Sequence, residues 1–85
     1  MHATNENKHQ DVIRIVASST TSFDDAVKSG ISQLCQGPHH KNLRFTNYEV
    51  VGFQGTIQHD VNSCEVMLYQ VVMDVAGDHM IPAPT

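Results

Sequence analysis

"CEVMLYQVVMDV", residues 64–75, decides how this chain folds. Read with the two-residue period of a strand, Met67, Tyr69, Val71, Met73 and Val75 fall on one face, and that face can serve as a core. Val66, Leu68, Gln70, Val72 and Asp74 fall on the other, which is also largely apolar around its central glutamine. A strand apolar on both faces needs cover on both sides. An 85-residue chain has too few elements to supply both. Something outside the chain is therefore expected against the second face. A glutamine persisting between Leu68 and Val72 is expected to have a defined partner there, a ligand edge or the backbone of a neighbouring subunit.

Composition points the same way. Eighty-five residues make one small domain, and a domain of this size buries only ~60% of its unfolded surface when alone. Its 40% hydrophobic content is globular. Folds this small usually rely on disulfides, a metal or oligomerisation. Cys35 and Cys64 stand far apart in no CxxC or Cys/His spacing, so free thiols in a reducing compartment are expected and no disulfide framework. Oligomerisation is left as the staple. The polar start, MHATNENKHQ, lacks the apolar run of a signal peptide, and no stretch approaches the ~20 apolar residues of a membrane span. A cytoplasmic protein with no membrane partner is expected. Five Lys+Arg against nine Asp+Glu give a net charge of -4 with no basic stripe, which argues against nucleic acid.

Along the chain, residues 1–10 read as a disordered arm, 11–77 as the domain, and 78–85 as a tail containing Pro82 and Pro84. VIRIVAS (12–18) alternates and is β-branched, so it is a strand. Ser22 reads as a helix N-cap with Asp25 in a capping-box-like position, and Asp24 and Asp25 favour the positive end of the helix dipole. Phe23, Val27, Ile31, Leu34 and Cys35 form one helical stripe, Gly37-Pro38 ends it, and Gly30 inside it implies a close packing neighbour. RFTNYEVVGFQGTIQ (44–58) is a long strand whose Gly52 and Gly55 mark a bend or bulge, and HDVNS (59–63) is the turn before the last strand. The order is β-α-β-β, an α+β fold in which one helix covers one face of a three-stranded antiparallel sheet.

The series VIRIVASSTTSFDDAV, NLRF…YEV, FQGTI and YQVVMDV, in that order and spacing, resembles the dodecins over roughly residues 11 to 77. The chain departs from the pattern by about four extra residues around GPHH and about four around HDVNSC. The resemblance implies a hollow homo-oligomer, a dodecamer in the family, whose sheets wrap their helices and whose outer faces meet to hold flavins, riboflavin or FMN among them. It implies that Gln70 hydrogen-bonds the polar edge of the isoalloxazine ring. Flavin-binding dodecins typically carry a tryptophan two residues before the Glu-Val of the second strand. Here that count lands on Asn47, and an alignment through Asn42-Leu43-Arg44 puts Phe45 in the slot with Thr46-Asn47 as a bulge. The chain has no tryptophan.

The remaining candidates read more plainly. Tyr48 and Tyr69 are core-packing residues, and Cys35 is a small buried hydrophobe. His39-His40 is a solvated loop rather than a chelate, and His59-Asp60 a turn. The Ser18–Ser22 run caps the helix; Asp24 and Asp25 would repel a phosphate there. No nucleophile–base pair or metal-ligand spacing supports an enzyme, so no catalytic residue and no metal site are expected. The function expected is non-enzymatic storage or sequestration of a flavin at Gln70, with Phe45 or Asn47 at the stacking position. The alternative is a dodecin-like assembly that binds a different small ligand or ion.

Overall fold

In a computed structural model describing residues 10–37 and 42–79, the four expected elements appear in the expected order: β1 (Gln10–Ser19), α1 (Phe23–Gln36), β2 (Leu43–His59) and β3 (Cys64–His79). The strands reach slightly beyond the expected limits, including Gln10 at one end and Asp78 and His79 at the other. The expectations for the start of the arm, for His39-His40 and for Pro82 and Pro84 lie outside the described residues. All pairings are antiparallel and the sheet order is β1-β3-β2. The strand that opened the sequence reading is thus the central one, which is why it is apolar on both sides.

One face of β3 is buried under the helix. Val71 and Met73 are fully buried and Val75 nearly so, together with Ala26 of α1. Ile15 and Ala17 from β1, Val50 and Phe45 from β2, and Val27, Ile31 and Leu34 from α1 pack around them. The innermost residues of the helix are small, Ala26 and Gly30. A Cβ on Gly30 would stand 2.5 Å from the Ala17 Cβ and 3.1 Å from the Met73 Cε, so the expected close neighbour is the sheet itself. The larger stripe residues flank this contact instead of centring it. Phe23 sits half out of the core, edge-on to Phe53 and Tyr69 at centroid distances of 5.0 and 5.2 Å. Cys35, expected to be buried, is exposed: it lies at the edge of the stripe, lining an open depression with Ile31, Phe45 and Val75 that nothing among the described residues fills.

The helix start is built by serines. Ser22 caps it by accepting from the Asp25 N–H at 3.0 Å. The reciprocal half of a capping box is replaced: the buried Ser19 hydroxyl donates to the Asp25 carboxylate at 2.6 Å and accepts from the Thr21 and Ser22 N–H groups. The end comes at Gly37, whose N–H reaches the Leu34 carbonyl at 3.2 Å.

β2 and β3 are long, 17 and 16 residues, against a usual five or six. Register shifts occur at Phe45/Asn47, Val50/Gly52 and Thr56/Ile57. Gly55 lies beside the last of these, and a Cβ there would collide with the Leu68 carbonyl. Beyond it the hairpin runs out past the helix with every residue from 53 to 67 exposed. The radius of gyration is 17.3 Å, whereas a compact 85-residue domain would have about 12 Å. The subunit is a covered sheet with an uncovered arm.

Gly30→Ala gains helix propensity of up to about 1 kcal/mol, yet it must lever α1 off Ala17. We expect a net loss of about 1–2 kcal/mol, read as a lowered midpoint in thermal or denaturant unfolding. A variant as stable as the parent would refute the close contact.

Candidate ligand-binding face

The register sorts the sheet into two faces. Val71, Met73 and Val75 point to the helix, so Val12, Arg14 and Val16 of β1, Asn47, Glu49, Gly52, Gln54 and Thr56 of β2, and Leu68, Gln70, Val72 and Asp74 of β3 share the opposite, outer face. Among the described residues nothing covers it. Val12 and Val16 are 62% and 59% exposed. Val66, expected on this face, lies instead on the helix side with Ile57, because the shift at Thr56/Ile57 skips Met67 and reverses the facing of β3 beyond it. Single exposed apolar residues are ordinary, but Val16, Leu68 and Val72 form an apolar strip around Gln70, bordered by the polar residues of the same face, and such a strip is a surface suited to a partner.

Gln70 lies in the middle of this face, half-buried, directly opposite Gln54. The Gln54 Nε2 donates to the Gln70 Oε1. The expected partner from outside the chain is therefore preceded by one inside it. Each amide carries two N–H donors and one carbonyl, and the contact uses one donor of Gln54 and the carbonyl of Gln70. The amide nitrogen of Gln70 and the carbonyl oxygen of Gln54 are left over for another group.

The two residues expected at the stacking position separate. Asn47 follows the bulged Thr46 and pairs with Ala76 on the outer face, lining an open depression of about 280 Å³ with Val12, Glu49 and Asp74. Phe45 pairs with Gly77 and lies on the helix face, its ring edge 3.0 Å from where a Gly77 Cβ would be, packed against the core beside Ile31 and Cys35. The bulge expected at Thr46-Asn47 is present, and it is what puts Asn47 rather than Phe45 on Gln70's face. Asn47 and Gln70 are still six residues apart along β3, roughly 20 Å at about 3.3 Å per residue. One subunit does not bring them together. Tyr69, expected in the core, is half-buried against Phe23, while Tyr48 is largely exposed.

A charged row crosses the same face. Arg14 forms a two-point bond to Asp74 at 2.7 and 3.0 Å, and Glu49 stands opposite Asp74 on the other side. The hydrogen bond from Arg14 holds the Asp74 carboxyl below the usual carboxylate range and raises the guanidinium in turn. At the hairpin tip the Asp60 carboxylate accepts from the Asn62 and Ser63 N–H groups at 2.8 and 2.9 Å, which lowers its pKa as well. Among the described residues no group of His, Cys, Asp and Glu is arranged to hold a metal, Cys35 and Cys64 are free thiols, and no helix is long and apolar enough to cross a membrane.

A β-α-β-β chain with a single helix on one face of a three-stranded antiparallel sheet defines a class of small α+β proteins. The Dodecin family model matches residues 10–77, and the chain belongs to the dodecin family. Solved structures of the T. thermophilus dodecin share the fold. An arginine-to-alanine mutant is 22% identical with a TM-score of 0.65, the match covering 80% of this chain and 90% of that one. A tryptophan-to-phenylalanine mutant gives 22% and 0.64 over the same shares. A second arginine-to-alanine mutant gives 20% and 0.65 over 88% and 96%. No curated protein matches the chain in sequence.

Both depressed carboxyls stabilise the fold above their unfolded pKa, about 4, and the contribution is lost as pH falls through their lower folded values. Thermal midpoints measured against pH should therefore fall below about pH 4. The double variant Asp60→Asn, Asp74→Asn should lack part of that fall. An identical acid limb in both proteins would refute the assignment.

Proposed function

We propose that the chain is a non-enzymatic binding protein: a homo-oligomeric shell that holds a flavin of the riboflavin or FMN type between the outer sheet faces of its subunits and so stores or sequesters it. One observation carries this reading. The uncovered apolar face has at its centre an amide pair, Gln54 and Gln70, with a donor and an acceptor left over. An apolar surface with a few convergent polar groups is what a planar heterocycle needs, area for its rings and hydrogen bonds for its edge. Family membership supports the choice of flavin, because the resemblance implies that ligand at Gln70. The roughly 20 Å between Gln70 and Asn47 implies that ring contact and edge contact come from different subunits, so the site is complete only in the assembly.

A second reading rests on Asn47. An amide stands where the resemblance implies a stacking indole, and it offers less π surface to a ring. This favours a dodecin-like shell that takes a smaller or more polar ligand.

Light scattering behind a sizing column should show one large species, twelve copies by family resemblance, and a monodisperse monomer would sink both readings. Titration of riboflavin, followed by quenching of its fluorescence, separates them. Gln70→Ala should weaken binding by about 1–3 kcal/mol, tenfold or more, with the oligomer intact. Asn47→Trp should strengthen it, whereas Phe45→Trp, on the helix side, should not. If wild type and Asn47→Trp both leave riboflavin unquenched at about tens of micromolar, the flavin reading falls and the second stands.

A further inference from the structure

We infer that Gln54 is a positioning and specificity residue of the Gln70 site, and that the pair selects planar heterocycles whose edge carries a carbonyl beside a ring N–H. This rests on the ligand face proposed above. An isolated glutamine amide turns over readily, because its terminal torsion is broad and its two ends are nearly the same size. Alone, Gln70 could offer a ligand either its oxygen or its nitrogen. The bond between the Gln54 Nε2 and the Gln70 Oε1 couples the two amides, so that when one leaves a donor free the other leaves an acceptor free. In the observed arrangement the Gln70 oxygen faces Gln54, which leaves the Gln70 Nε2 as donor and the Gln54 carbonyl as acceptor beside it. Side by side on neighbouring strands, the two present a donor and an acceptor.

A lactam or imide edge satisfies both at once: its carbonyl oxygen accepts from the Gln70 Nε2 and its ring N–H donates to the Gln54 Oε1. The pyrimidine-like ring of a flavin has such an edge, with N3–H between two carbonyls. A ring alkylated at that nitrogen has lost the donor and brings a methyl group against the Gln54 oxygen. A site built to hydrogen-bond a group discriminates strongly against analogues that lack it. Gln54 is held to this duty by the fold. The register shift at Thr56/Ile57 sets it opposite Gln70, and Gly55 beside it is the residue whose missing Cβ lets the strands approach.

The test compares riboflavin with N3-methylriboflavin by fluorescence quenching on the intact oligomer. Wild type should prefer riboflavin by about tenfold or more. Gln54→Leu keeps the bulk but frees Gln70 and removes the acceptor, so riboflavin should weaken about tenfold and the preference should fall towards one. Gln54→Glu can only accept; it should turn the Gln70 nitrogen towards itself, weakening riboflavin while keeping the preference for the N–H form. A merely structural role would move both ligands together and leave the ratio alone. Light scattering checks that each variant still assembles, and Gln54→Glu, the closest in shape, serves if Gln54→Leu does not. Wild type that fails to bind riboflavin ends the flavin reading and this inference with it. Wild type that binds both flavins equally, or variants that bind as wild type does, overturn this inference alone.

Discussion

The whole structure depends on β3 being apolar on both faces while its own chain can cover one. A central strand in a three-stranded sheet has its backbone bonds satisfied on both edges, so only its side chains ask for more. The helix meets half of that demand. It can do so because Gly30 and Ala26 let α1 settle onto Ala17 and Met73 without intervening side chains. Every other feature follows from the half left over: the open valines of β1, the exposed arm of the β2–β3 hairpin, and a radius of gyration too large for a self-sufficient domain.

Much of this was legible in the residues. The β-α-β-β order needs only the period of each segment and the punctuation at Ser22, Gly37 and the HDVNS turn. Gly30 inside an apolar stripe announced a close neighbour, because a helix interior tolerates glycine poorly without one. The two-faced pattern of residues 64–75 gave the need for an external cover. Cys35 misled, since its place on the stripe says nothing about whether the edge of that stripe is covered.

The site was harder to read, and the cause is the bulges. Counted back from the turn without interruption, Gln54 would stand opposite Tyr69, on the wrong face to meet Gln70. The shift at Thr56/Ile57 absorbs Met67 on β3 and moves Gln54 by one residue, which puts the two amides together. The bulge at Thr46 does the reverse service for the stacking slot, sending Phe45 under the helix beside Gly77 and leaving Asn47 outside. Glycines hint that a strand bends; they do not say which partner gains the extra residue. A single unplaced bulge inverts every facing downstream, so side-chain identity was readable while side-chain company was not.

That inversion bears on how the outer face divides its work. Area for a ring and hydrogen bonds for its edge are separate needs, and along β3 they fall roughly 20 Å apart. Within one subunit the amide pair stands among Leu68, Val72 and Val16 with no aromatic neighbour on its face, while the aromatic cluster of Phe23, Phe53 and Tyr69 lies on the opposite side of the sheet. A ligand held by the pair would therefore take its second wall from another copy of the chain. Binding and assembly, on the function proposed above, would draw on the same surface, and each ligand buried there would cover part of the face available to another copy. Within the strip of Val16, Leu68 and Val72, the glutamine pair is where apolar closure would be penalised by unused hydrogen-bonding groups. The pair is built from within a single chain, by two strands brought into register through the bulge at Met67.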